Sequence, residues 1–179
     1  MIHKWKFINR KILLDHPKMT VVEDEVLLPS NKKVSYIREA PSKGHSVAII
    51  ALDSNERLLL QKEYSYPPDK IMYQLPGGAV ENKEGVIDAA NRELSEESGY
   101  IARDTTVIGS FYLNNRRSDR KQFVVLCRDI MPQKNTEDEE EFIKSEWVSR
   151  DKVRTLIQQG KIENIGLLAA LALLDVASP

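Results

Sequence analysis

Three glutamates, Glu93, Glu96 and Glu97, fall within five residues of the stretch PGGAVENKEGVIDAANRELSEESGY, residues 76 to 100. On a helix turning about 100° per residue they share one arc of about 100°. Like charges so placed repel by roughly a few tenths of a kcal/mol per pair. Either a cation offsets that repulsion or the face is simply solvated, and spacing alone is compatible with both. Three carboxylates with oxygen donors suit a hard divalent cation; Mg²⁺ prefers octahedral oxygen, keeps waters and shares its sphere with substrate phosphate. Arg92, four residues before Glu96, is placed to hold it. Gly77 and Gly78 let the backbone approach closely, and a carbonyl there, that of Gly78 for instance, would add a further oxygen.

The elements that must position these groups follow from the pattern. A helix is predicted from about 85 to 98, with Ile87, Ala90 and Leu94 on the arc beside the glutamates and available to pack on a sheet. Gly99 stands where a left-handed C-cap glycine belongs. Upstream, MTVVEDEVLL (19–28) and VSYIREA (34–40) are predicted strands around the turn PSNKK. In SVAIIALDSNERLLLQKEY, two apolar β-rich runs flank DSNE, which predicts a hairpin. IMYQL is a short strand. Downstream come strands at about 105–113 and 122–128, an acidic loop TEDEEE, the strand FIKSEWV, and helices at 150–159 and 163–177. The last is apolar nearly all round and is predicted to be buried. Mixed strands with helices on either side predict an α/β/α layered domain over 43–179 with a mixed sheet, preceded by N-terminal antiparallel strands in 1–42.

Composition bounds the function. The chain has 179 residues, 26 basic and 27 acidic, for a net charge of −1. That gives no global pull toward nucleic acid or an anionic membrane. The longest apolar block, IGLLAALALLDVA, is too short to span a bilayer, and the N-terminus lacks the apolar core of a signal peptide. A cytoplasmic location is the default expectation. Cys127 is the single cysteine, so no intrachain disulfide forms, and its setting in FVVLC predicts a buried, inert thiol. His3, His16 and His45 show no spacing for metal ligation or for a nucleophile–histidine pair.

One further pattern is specific. Gly78, five residues, Glu84, seven residues and then Arg92-Glu93-Leu94-Ser95-Glu96-Glu97-Ser98-Gly99-Tyr100 resembles the Nudix box of the Nudix hydrolases at every fixed polar and glycine position. Tyr100 departs from the family's bulky aliphatic residue. The resemblance implies an α/β/α Nudix sandwich and hydrolysis of a nucleoside diphosphate linked to another group. It implies Mg²⁺, with Mn²⁺ as a substitute. Glu93 and Glu97 would be direct ligands, Glu96 a ligand or one acting through water, and Glu84 and Arg92 would orient the others.

LLLQKEYSYP before the box and GKIENIGLLAALALL after the acidic loop resemble the ADP-ribose pyrophosphatase branch. So do the N-terminal strands, which in that branch build an exchanged dimer interface, so a homodimer is implied. That branch draws a catalytic glutamate from the loop before the last strand; matching EFI and WVSR places the candidates at Glu141 and Glu139. A solvated acidic loop has the same composition. Ser65 stands where the branch often has arginine, and YLNNRRSDRK lacks the branch's proline. Arg116, Arg117, Arg120 and Lys121 form instead a basic cluster, suited either to substrate phosphate or to a solvated hairpin tip. Tyr66, with Tyr64 and Tyr73, offers a ring for stacking on a base or for packing. The alternative activities are hydrolysis of a nucleoside triphosphate or dinucleoside polyphosphate, and non-catalytic sensing of a nucleotide sugar. A sensor is expected to have lost box acids, and this chain keeps all of them.

Overall fold

The computed structural model describes residues 3–42, 44–133 and 143–177. Glu139 and Glu141 lie outside the described residues. The chain divides into two units, the first comprising residues up to 43 together with Asn114–Arg120.

In the first unit β1 (Lys6–His16), β2 (Met19–Leu27) and β3 (Lys33–Glu39) form an antiparallel sheet in that order. The sequence pattern predicts β2 and β3 but hides β1. Register shifts between Phe7 and Asn9 and between Ile12 and Leu14 interrupt its alternation, and Phe7, Ile12 and Leu14 are exposed. Asp24 on the central strand is buried. It accepts from Arg10 Nε at 2.6 Å and Nη2 at 2.9 Å, and from Arg38 Nε at 3.2 Å, so one carboxylate ties all three strands.

The second unit holds β4 (Ser46–Ala51), β5 (Leu58–Ser65), β6 (Lys70–Gln74), α1 (Val86–Ser98), β7 (Tyr100–Tyr112), β8 (Lys121–Pro132), β9 (Lys144–Val148), α2 (Arg150–Gln158) and α3 (Ile165–Ala177). One sheet is mixed: β4 runs parallel to β8, and β8 antiparallel to β7. The other, β6-β5-β9, is antiparallel. Along β4 the side chains alternate between two cores. Val47, Ile49 and Ala51 pack with Leu59, Ala89, Ala90 and Leu94; Ala48 and Ile50 pack with Leu60, Val153, Leu167 and Leu174. A strand covered on both faces reads as an unbroken apolar run, and the unit is an α/β/α sandwich. Cys127 is fully buried in the α1-side core, where desolvation pushes its thiol up to about 11.

Two elements differ from the sequence expectation. DSNE is a tight turn, with Asp53 Oδ1 accepting from the N–H groups of Asn55 and Arg57. Yet β4 and β5 share only the bridge Leu52–Leu58 before entering different sheets, so no hairpin ladder forms. Buried Leu167, Ala170 and Leu174 turn one face of α3 inward, while Ile165 and Val176 are exposed. Uniform apolarity concealed which face packs. Among the described residues no helix is long and apolar enough to cross a membrane.

Candidate active site

The box folds as the loop between β6 and α1, followed by α1 itself. Residues 76–80 run beside β4: Ile49 N–H donates to the Pro76 carbonyl at 2.8 Å, Val47 N–H to Gly78 at 2.9 Å, and Val80 N–H to His45 at 3.0 Å. This pairing presses the loop so close to β4 that a side chain at Gly77 would meet backbone. Gly77 has φ of 149°, and a Cβ there would stand 3.0 Å from the Val47 carbonyl carbon. α1 ends at Gly99, whose φ of 67° and N–H bond to Ser95 O at 3.0 Å make the predicted C-cap. Tyr100 then packs on the α1-side core and accepts from Trp147 Nε1 at 3.2 Å. The ring occupies an apolar slot and its hydroxyl has a partner.

The buried face of α1 comprises Ala89, Ala90 and Leu94; Ile87 is 42% exposed. With Ala89 in place of Ile87, the packed face spreads to both sides of Glu93. Glu93 and Glu97 therefore stand within the face turned to the sheet and loop, not beside it. Glu97 Oε2 accepts from Gly77 N–H at 2.9 Å and from Gln61 Nε2 at 3.1 Å. The Glu93 carboxylate rests on Gly78, where an added Cβ would lie 2.5 Å from its Cδ. The Gly78 carbonyl faces Val47 N–H, as above.

Arg92 organises the other acids. Its Nε and Nη2 donate to Glu84 at 3.0 and 3.2 Å, Nη2 also donates to Ala79 O at 3.0 Å, and Nη1 reaches Glu96 at 2.9 Å and Glu93 at 3.0 Å. Glu84 in turn accepts from Glu81 N–H at 2.9 Å. Arg92, then the Glu81 N–H, hold the Glu84 carboxyl below the usual carboxylate range, while Glu84 foremost raises Arg92 above the ordinary guanidinium value. Glu96 is the most exposed of the three stripe acids, at 58%.

The predicted residues thus divide. Gly77, Gly78, Glu84, Arg92, Glu93, Glu96 and Glu97 come together around one loop and one helix, with Gly99 ending that helix. Arg116, Arg117 and Arg120 belong to the first unit with β1–β3. There Arg117 donates to Ile37 O at 2.6 Å and lies over the Tyr36 ring at 5.4 Å. Tyr66 stands 82% exposed in the turn between β5 and β6, and Tyr64 is 48% exposed. Neither is a core residue; of the three tyrosines, Tyr73 packs against the core.

Gln61 was not foreseen. The signal was present: in LLLQ the β5 alternation puts Gln61 on the same face as Leu59, toward α1. On the other side of Gly77 lies a cleft of about 110 Å³ lined by Gln74, Gln122, Asn164 and the backbone of Gly77 and Gly166. Gln122 Oε1, and the Oγ of Ser46 paired with it across β4 and β8, are buried without a hydrogen-bond partner among the described residues.

The donor set fits a hard cation by its chemistry: carboxylate oxygens, with Glu97 held by the Gly77 N–H and the Gln61 amide and Glu93 by Arg92. Among the described residues no three acids or histidines already converge as a cage; Arg92 engages Glu84, Glu93 and Glu96, while Gly77 and Gln61 engage Glu97.

Residues 42–171 match the NUDIX domain model. The chain belongs to this family and is a Nudix hydrolase. It is 26% identical over 159 residues to an ADP-ribose pyrophosphatase of Bacillus subtilis, covering 88% of this chain and 85% of that one. It is 26% identical over 179 residues to a CMP-5'-(N-acetyl-N-hydroxy-3-aminopropyl)phosphonate hydrolase of Streptomyces rubellomurinus, covering 95% and 84%. The crystal structure of an ADP compounds hydrolase shares the fold at a TM-score of 0.90 and 22% identity, covering 98% of this chain and 94% of that one.

Proposed function

We infer that this hydrolase cleaves the diphosphate of a nucleoside diphosphate linked to another moiety, ADP-ribose or another nucleoside diphosphate sugar, with Mg²⁺ as its cofactor and Mn²⁺ able to replace it. The observation that carries this reading is the seating of Glu93 and Glu97 against Gly78 and Gly77, two carboxylates brought to the glycine loop in a partly buried setting. Glu93 and Glu97 would hold the cation, with Glu96 completing the set. When bound, the cation would neutralise the diphosphate and stabilise charge on the leaving phosphate. Arg92 holds Glu84, Glu93 and Glu96 in place and favours the ionised form of Glu84. The uncharged amides of Gln122 and Asn164 suit hydroxyls or a base edge rather than a further phosphate. Glu141, with Glu139 as reserve, is proposed as the proton acceptor on the strength of the resemblance.

Arg117 is engaged by Ile37 and Tyr36, so the basic cluster lends a triphosphate substrate less support than its composition suggests. The Streptomyces relative is a hydrolase of a CMP conjugate, so the base is part of the test. A panel of ADP-ribose, other nucleoside diphosphate sugars, cytidine conjugates, triphosphates and dinucleoside polyphosphates, each with Mg²⁺ and with Mn²⁺, decides the matter by product masses. The expected products are a nucleoside monophosphate and a phosphorylated second moiety. Turnover confined to triphosphates or dinucleoside polyphosphates, or none with either metal, overturns the reading.

A further inference from the structure

Gln61 is 1% exposed, on the central strand of the sheet β6-β5-β9. Its neighbours in register are Gln74 and Ser145. Two residues back on the same face, Leu59 packs with Ala89, Ala90 and Leu94 of α1. Leu94 and Glu97 are three residues apart on that helix, so the helix face changes from apolar to acidic where the strand face changes from Leu59 to Gln61. The amide is therefore an uncharged, almost wholly buried polar side chain set beneath a carboxylate, with Leu59 along the strand and the polar Gln74 and Ser145 across it.

Its Nε2 donates to Glu97 Oε2 at 3.1 Å, and the same oxygen accepts from Gly77 N–H at 2.9 Å. A backbone donor and a strand-borne donor on one oxygen fix the orientation of the carboxylate about its terminal torsion, which is otherwise broad. Outer partners of this kind orient a ligand group and tune its affinity for a metal. An amide supplies the hydrogen bond without adding charge, so it does not compete with a cation for Glu97; a lysine there would compete.

We propose that Gln61 is a positioning residue for Glu97, setting the orientation in which that carboxylate meets the divalent cation. The proposal rests on the reading of Glu97 as a cation-holding residue. It is tested by Mn²⁺ binding, followed by electron paramagnetic resonance on the full chain without nucleotide. Gln61→Met keeps length and bulk and removes the donor. The expected result is a Kd for Mn²⁺ raised about tenfold to a hundredfold, with a circular dichroism spectrum like the parent's. Gln61→Asn, one methylene shorter, withdraws the amide while keeping a polar group, and is read in the same way if the Met variant does not fold. A residue that serves only the fold would lower Tm and leave the Kd of the folded protein alone. Combined with Glu97→Gln, Gln61→Met is expected to add nothing further, because the group through which it acts is already changed.

A Kd within about twofold of the parent in a folded Gln61 variant, or an equal loss in the Glu97→Gln background, overturns the proposal. Failure of the functional reading looks different: the parent then binds Mn²⁺, and responds to Gln61→Met, while turning over none of the nucleoside diphosphate conjugates. A parent that binds no Mn²⁺ removes both.

Discussion

The Glu93 carboxylate lies directly on Gly78, where a methyl group would come 2.5 Å from its Cδ. Gly78→Ala is therefore expected to displace Glu93 while sparing the core, which it does not enter. Turnover should fall by about a hundredfold, the scale of losing one aimed electrostatic group, with Tm changing by a few degrees. Gly160 is the control: its φ is 66° but an added Cβ meets nothing within 4 Å, so Gly160→Ala should cost about 1 kcal/mol and leave kcat unchanged. Equal kcat values for the two alanine variants would contradict the arrangement.

Glu97→Gln keeps size and helix propensity and removes an anionic oxygen. A loss of at least about a hundredfold in kcat is expected, measured at saturating Mg²⁺. Thermal stability in EDTA should barely change, since one oxygen can still accept from Gly77 and Gln61. Near-normal turnover would remove α1 as the cation-holding helix.

Arg10, before all else, holds the Asp24 carboxyl below its ordinary value, and Arg38 adds to this. A carboxyl depressed in the folded state contributes stability that is present above its unfolded value, near pH 4. That contribution is lost as the pH falls through the lower folded value. Asp24→Asn should cost about 2 kcal/mol near neutrality and flatten the acid limb of the stability curve. Urea unfolding at a series of pH values, compared between parent and variant, checks both the size and the sign.

The first unit exposes Trp5, Phe7, Ile12, Leu14, Met19 and Ile37, each about half or more accessible. Exposed apolar side chains in this number on and beside one small sheet suit an interaction surface. A homodimer with two-fold symmetry that includes these strands is expected. Light scattering over a wide concentration range tests it, and a stable active monomer at high concentration would exclude it.

Glu141→Gln or Glu139→Gln is expected to lower kcat by about 10²–10⁴, the span of a general base, with much smaller changes in KM. Other acids of that loop should tolerate the same change within a few fold. Normal turnover in the Glu139/Glu141 double variant would move the base elsewhere.

The parts of this molecule legible in its sequence are those set by local rules. Gly99 ends α1 because a left-handed cap needs no distant partner. The spacing of Glu84, Arg92 and Glu96 states their network because Arg92 and Glu96 are one helical turn apart. The parts that were hidden depend on distant pairing. β4 and β5 look like a hairpin across DSNE, but β4 finds its partner in β8, with Ser46 paired to Gln122. Ile87 and Ala89 exchange roles because the packed face of α1 is set by where the sheet lies. Gln61 meets Glu97 only through the packing of α1 on β5, a contact across 36 residues of sequence.

Cys127 is fully buried and its thiol is raised to about 11, so almost none of it is thiolate near neutrality. The parent chain is thus a ready background for maleimide chemistry. A cysteine introduced on an exposed turn, such as at Tyr66, can carry a dye without Cys127 first being removed. A dye there, and another at the exposed Val176 on α3, would report distances in the working enzyme from a chain whose own thiol stays silent.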